Sequence, residues 1–314
     1  MIFGNYRFSN IFLNNGILPI YKGSTFRGGF GHALKNIICT SNELLCDQCM
    51  LAKQCVYVRL FEPQHLKINL PEVKQMSTLP SPFVIEPPYT QKTHFSTNDA
   101  FDFNLLLFGD NNQYLPYFIY AFDQMGKTGV GKHIDGHRGQ FKVQTVKYQD
   151  TLIYSDEMIT TDNLDRIETL SIDTSSTNSQ NIKQIKIVLD TPLRFKINRK
   201  LSTELTFEGL IRVMLRRISF LLSSYGSGNP NLNYTEIIQR AKSVKMIDTN
   251  LKWYNWSRYS ERQDRKMKMG GLIGSVIYEG NLEEFIPFIQ FCSKVHIGKQ
   301  TTFGLGKIRW QKME

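Results

Sequence analysis

Four of the five cysteines fall within seventeen residues, in the order Cys39-x6-Cys46-x2-Cys49-x5-Cys55. A Cys-x-x-Cys pair lets one turn set two thiolates on a single ion, and two flanking cysteines complete a tetrahedral set. The spacing predicts a four-cysteine knuckle. Zinc is favoured over an iron–sulfur cluster, although both use four thiolates and spacing does not separate them. Four protein ligands leave no open position, so the expected ion is structural and no cofactor is expected for catalysis. Cys292 lies on the apolar stripe of a predicted helix and reads as core.

Of the six histidines, His32 is placed like a reagent. It ends the run Tyr21-Lys-Gly-Ser-Thr-Phe-Arg27-Gly-Gly-Phe-Gly-His32 on a predicted helix, where three glycines would let another chain come close. An imidazole takes or gives a proton near neutral pH, worth roughly 10²–10⁴ in rate. His296 is the second choice, and His65, His94, His133 and His137 read as loop or surface residues. The run Gly126-Lys-Thr-Gly-Val-Gly131-Lys132-His133 imitates a phosphate-binding P-loop and fails. His133 stands where a Ser or Thr must ligate Mg2+, and a helical pattern precedes the glycines instead of following them.

A second glycine-rich segment, from His296 to Trp310, carries Gly304 and Gly306. Glycines there would bring backbone N–H groups close to phosphate oxygens, with Lys299, Lys307 and Arg309 adding charge. Further cations gather nearby in sequence. Arg194, Lys196, Arg199 and Lys200 follow a predicted strand, and Arg212, Arg216 and Arg217 lie on the next helix. Arg258, Arg262, Arg265, Lys266 and Lys268 crowd a predicted hairpin beside Trp253, Tyr254, Trp256 and Tyr259. Aromatic faces beside guanidinium groups suit unpaired bases as well as phosphates. Glu208 and Arg212, one helical turn apart, are spaced to pair with each other.

The elements that must position these residues come in two similar sets. Periodicity predicts strand Ile2–Phe12, helix Thr25–Ile38, strands Ser81–Glu86 and Ala100–Phe108, helix Leu115–Met125 and strand Phe141–Lys147. The same order returns as strand Ile182–Leu189, helix Thr206–Ser223, strands Val244–Tyr259 and Gly271–Tyr278, helix Leu282–Cys292 and strand Gly306–Trp310. Both sets read βαββαβ, so the expected class is α+β with tandem ferredoxin-like domains over residues 1–150 and 182–314. The cysteine segment, 39–55, is an insertion in the first, and 151–181 is an acidic, polar linker or loop.

Length and composition agree. The 314 residues suit two domains, and 41% hydrophobic with 12% aromatic content is too apolar for a disordered chain. No apolar run nears the ~20 residues that cross a bilayer, and MIFGNYRFSN lacks a secretory pattern, so a soluble cytoplasmic protein is expected. The net charge of +10 is uneven: +3 over residues 1–150, −5 over 151–179 and +12 over 180–314. A polyanion is the natural partner for the last part, because neutralising phosphates releases counterions.

The runs GGLIGSVIYEG and FCSKVHIGKQTTFGLGKIRW resemble the C-terminal domain of CRISPR-associated precursor-crRNA-processing endoribonucleases of the RAMP superfamily. YKGSTFRGGFGHAL, the cysteine segment with Arg59-Leu-Phe-Glu-Pro63, and LPYFIYAFDQMGKTGVGK resemble that family's cysteine-containing branch. The resemblance covers most of the chain except the linker. It implies metal-independent cleavage of CRISPR repeat RNA: a ribose 2′-hydroxyl attacks the adjacent phosphate, leaving a 2′,3′-cyclic phosphate and a free 5′-hydroxyl. By position it carries over His32 as proton carrier and Gly304 and Gly306 as part of the RNA-contacting loop; Tyr21 or Lys299 is the expected helper of His32. Arg194, Arg216, Arg217, Lys299, Lys307 and Arg309 are the expected RNA-binding cations. The implied partner is precursor crRNA, bound by a monomer or homodimer away from any membrane. The alternative it implies is a non-catalytic RNA-binding subunit of a CRISPR effector complex.

Overall fold

The computed structural model describes residues 1–40, 45–63, 79–160, 167–172, 182–197, 200–260 and 265–313. They form two compact units, Met1–Thr169 with Ser224–Gly226, and Leu170–Ser223 with Ser227–Glu314.

In the first unit, strand Phe3–Phe12 buries Tyr6, Phe8 and Phe12 and exposes Asn5 and Arg7, the alternation a half-buried strand requires. It lies centrally in a six-stranded sheet ordered Met158–Ile159, Thr151–Ser155, Phe141–Tyr148, Phe3–Phe12, Ala100–Phe108 and Phe83–Glu86. All neighbours pair antiparallel. Helices Gly23–Ile38 and Leu115–Thr128 cover one face. Phe30 stacks on Phe118 and Phe122 at 4.8 and 4.6 Å, while Phe26 meets Phe103 at 5.2 Å and Phe8 meets Phe122 at 5.1 Å. Each such buried ring contributes about 1.5–3 kcal/mol, which is what holds the helix bearing His32 against the sheet.

The second unit repeats the plan. Its sheet runs Lys245–Tyr254, Gly271–Glu279, Gln184–Leu193, Ile308–Met313. Helix Phe207–Tyr225 buries Leu210, Met214, Ile218 and Leu221, and helix Ile286–Val295 buries Phe288, Ile289 and Cys292. Cys292 is core, as its place on the apolar stripe predicts, and burial pushes its thiol pKa up. Leaving aside the two short outer strands of the first sheet, both sheets have the strand order 4-1-3-2 of the ferredoxin-like fold, the class the periodicity predicts.

Two expectations change. Residues Thr151–Ser155 and Met158–Ile159, assigned from the sequence to a linker, add two strands to the first sheet, so the first unit runs to Thr169. The expected strand Val244–Tyr259 ends at Tyr254, and a separate hairpin follows, Ser257–Ser260 against Arg265–Lys268. Residues 161–166 and 173–181 of the expected linker lie outside the described residues, as do His65, Arg199 and Arg262. Among the described residues no helix is long and apolar enough to cross a membrane.

Candidate nucleic-acid interface

The glycine-rich segment of the second unit begins where helix Ile286–Val295 stops at His296, whose φ is 57°. Segment and strand end are stitched together. Lys299 N donates to Arg194 O at 2.7 Å, Ile297 N to Gly306 O at 2.9 Å and Gly306 N to Pro192 O at 3.2 Å. Thr191 sits between them, donating its hydroxyl to Gly304 O at 2.8 Å and accepting from Lys307 N at 2.9 Å. Gly304 N turns inward to Thr301 O at 2.8 Å. The amides of Gly304 and Gly306 are therefore committed within the protein, which corrects the expectation that they face phosphate. The glycines are needed for approach instead: at Gly306, with φ +77°, a Cβ would lie 1.8 Å from the Ile297 carbonyl oxygen.

Arg217 is also reassigned. It is 8% exposed and donates Nε to His296 O at 3.0 Å and Nη2 to Val295 O at 2.9 Å. It satisfies carbonyls left open at the helix end, and its burial removes it from the RNA-binding set. His296 is buried, with Nδ1 3.0 Å from Leu305 O, so it too belongs to the scaffold of the loop. Arg309 forms a bidentate pair with Asp190, at 2.6 and 2.7 Å, across adjacent strands. Glu208 and Arg212 pair as their spacing predicts, at 2.7 Å.

What faces solvent is a group of cations. The Lys299 ammonium is held below the ordinary lysine range, first by burial and then by the like charges of Lys196, Arg216 and Arg194. Arg194 reaches the group from the strand end, its Nη1 donating to Gly270 O at 2.8 Å. Arg216, one residue from buried Arg217, is exposed and lies over the Phe220 ring at 5.0 Å. Lys307 is half-buried at the end of the glycine-rich segment. Arg258, on the hairpin, covers the Phe303 ring of the loop at 4.8 Å. Like charges brought together raise the energy of the free protein, and an anionic ligand relieves it. Lys196 belongs with the RNA-binding candidates. Its place in a cation cluster after a strand is the sequence signal that marks it.

In the first unit, His32 is exposed on helix Gly23–Ile38. The glycines before it divide by role. Gly29 and Gly31 pack against Met125 and Phe61, where a Cβ would come within 2.8 Å, and Gly28 faces open space. Tyr21 is half-buried, and its phenol pKa is raised well above the ordinary value by burial and then by the Glu86 charge. It keeps its proton and can act as a hydrogen-bond donor but not as a base. The adjacent Lys22 is fully buried, its ammonium donating to Ile20 O at 3.1 Å and Thr90 O at 2.9 Å.

The four cysteines are half-buried free thiols. The Cys46 thiol pKa is raised by burial, with Lys35 opposing and Glu62, Cys55 and Cys39 adding to the rise. Two of the other thiols thus bear on Cys46, yet among the described residues no group of three or more His, Cys, Asp or Glu is arranged to hold a metal ion. The P-loop imitation is settled: Gly126 lies within helix Leu115–Thr128, and strand Val130–Ile134 follows, the reverse of a P-loop.

Two family models match the chain: AF_1859_N, an N-terminal domain, over residues 1–169, and CRISPR-associated endoribonuclease Cas6 over residues 187–308. A protein of Archaeoglobus fulgidus described as uncharacterized is 27% identical over 298 residues, covering 93% of this chain and 92% of its own length. Among solved structures, a Cas6 product complex is similar with a TM-score of 0.55 at 11% identity, over 99% of this chain and 100% of that one. Thermus thermophilus Cas6 gives 0.53 at 11% identity, over 99% and 98%. A partial Cas6-RT-Cas1–Cas2 complex gives 0.61 at 11% identity, over 99% of this chain and 46% of that one. At such identities these structures show a shared fold.

Proposed function

We propose that this chain, which belongs to the AF_1859_N family by its first 169 residues and matches the CRISPR-associated endoribonuclease Cas6 model over residues 187–308, cuts CRISPR repeat RNA without a catalytic metal. The Cas6 match supports the coarse role, an endoribonuclease acting on repeat RNA. The finer reading is that a ribose 2′-oxygen attacks the adjacent phosphorus and the 5′-oxygen leaves, giving a 2′,3′-cyclic phosphate and a 5′-hydroxyl. His32 carries the proton, taking it from the 2′-hydroxyl or giving one to the departing 5′-oxygen. Tyr21, kept protonated by its surroundings, donates a hydrogen bond to a phosphate oxygen. Holding the 2′-oxygen, phosphorus and 5′-oxygen in line supplies much of the remaining rate.

The observation that carries the reading is the gathering of Arg194, Lys196 and Arg216 around Lys299, whose ammonium is held below the ordinary lysine range by burial and then by their like charges, a group that a phosphate backbone would neutralise. The test is single-turnover cleavage of labelled repeat RNA in EDTA. Wild-type protein should cleave, and His32→Ala should cleave about 10²-fold or more slowly. Unchanged cleavage by His32→Ala removes His32 from the reaction, and wild-type cleavage that vanishes in EDTA with the fold intact removes the metal-free mechanism. Tight binding without cleavage would instead make the chain a non-catalytic RNA-binding subunit.

A further inference from the structure

The glycines of the failed P-loop lead to a pocket that the proposed function leaves unused. Hairpin Val130–Ile134 and His137–Gly139 turns at Asp135–Gly136, both with positive φ, and follows directly on helix Leu115–Thr128. Helix end and hairpin form an open surface depression of about 280 Å³ lined by the exposed residues Thr128, His133, Gly136, His137, Arg138 and Gln140. The lining is fixed by its own hydrogen bonds. Asn14 Nδ2 donates to Arg138 O at 3.2 Å, Gln140 N donates to Asn14 Oδ1 at 2.6 Å, and Gln140 Nε2 donates to Lys127 O at 2.6 Å. Arg138 Nε donates to His133 Nε2 at 3.0 Å, and His133 Nδ1 lies 3.3 Å from Gly136 O.

This arrangement spends one N–H of Arg138 on orientation and leaves the two terminal nitrogens, whose donors match two oxygens of one phosphate. Among the described residues no carboxylate pairs with Arg138, whereas neighbouring Lys127 is neutralised by Asp123 at 2.8 Å. His137 adds a second imidazole to the lining, and about 280 Å³ of open space is room enough for a phosphate group. We propose that this hairpin pocket binds one backbone phosphate of the RNA, with Arg138 as the bidentate donor and His133 as the residue that positions it. The inference rests on the RNA-binding reading above and adds a contact in the first unit, remote in sequence from the basic loop.

The test is the affinity for labelled repeat RNA measured across salt concentrations by fluorescence anisotropy, for wild type, Arg138→Ala and His137→Ala. Loss of one phosphate contact should flatten the plot of log K against log salt by about 0.7 for Arg138→Ala. Binding near 0.1 M salt should weaken by about three- to tenfold. His137→Ala, which removes no hydrogen bond of the hairpin, should weaken binding without lowering the melting temperature, and it carries the test if Arg138→Ala unfolds. Wild-type protein that fails to bind repeat RNA overturns the proposed function and this inference together. Wild-type binding with both variants unchanged overturns the inference alone. Titration with inorganic phosphate separates the sources: Arg138-dependent phosphate binding with unaltered RNA affinity means a small-anion site and refutes the RNA assignment.

Discussion

Replacing Arg217 with Met separates holding the loop from holding RNA. The methionine keeps most of the buried stem volume but leaves the Val295 and His296 carbonyls without their donors at 2.9 and 3.0 Å. Hydrogen bonds to a charged group contribute about 1.5–3 kcal/mol each, and the stranded carbonyls remain buried, so a total of at least about 3 kcal/mol is expected. For a unit of this size that corresponds to a melting temperature lower by roughly 6–12 °C. All three tryptophans, Trp253, Trp256 and Trp310, lie in the second unit, so their fluorescence follows its unfolding. Below the transition, Arg217→Met should keep the wild-type salt slope of RNA binding. Arg216→Ala should keep the melting temperature and lose about 0.7 of the slope, one phosphate contact. An Arg217→Met protein as stable as wild type but with a flattened slope would refute the reasoning, because Arg217 would then be touching RNA.

Three further outcomes are expected. Gly306→Ala should cost more than about 3 kcal/mol, since its Cβ meets the Ile297 carbonyl oxygen at 1.8 Å and its φ is +77°; tryptophan-monitored melting reads the loss, and an unchanged midpoint counts against it. Lys22→Met strands the Ile20 and Thr90 carbonyls and should cost about 1–3 kcal/mol. Burial lowers the Lys22 pKa below 10.5, so the unfolded chain binds more protons and wild-type stability should rise with pH from the lowered value up to 10.5. The variant should lack that rise, and parallel urea midpoints across the alkaline range would contradict the assignment. The cysteine spacing predicts about one zinc per chain, released by a mercurial. Metal analysis giving none would leave Cys39, Cys46, Cys49 and Cys55 as the separate thiols of the present geometry.

Much of this was legible in the residue order. The 3.6-residue recurrence of Leu210, Met214, Ile218 and Leu221 marks a helix face that is buried as expected. Arg217 falls on that same stripe, three residues after Met214, and an arginine on a core face signals an internal tie; Arg216, a step of about 100° away, points outward. The strands at Thr151–Ser155 and Met158–Ile159 were hidden by their turn. Asp156 and Glu157 both take positive φ, 49° and 64°, a conformation usually announced by Asn-Gly or Asp-Gly. An acidic pair in an acidic stretch reads as linker instead. The Arg309–Asp190 pair had no local signal, because its partners stand 119 residues apart and meet only through strand register. Composition alone did not reveal that the Gly304 and Gly306 amides point inward, since the residues that accept from them are a proline carbonyl and a threonine carbonyl.

That inward stitching has an evolutionary corollary. A turn whose main chain is bolted to its own scaffold does not depend on the decoration it displays, so Lys196, Arg216 and Lys299 are free to be exchanged without rebuilding the turn beneath them. Such a frame can follow a drifting target by swapping outer side chains one at a time, and a library randomised at those three positions alone is the economical place to retune which transcripts it accepts.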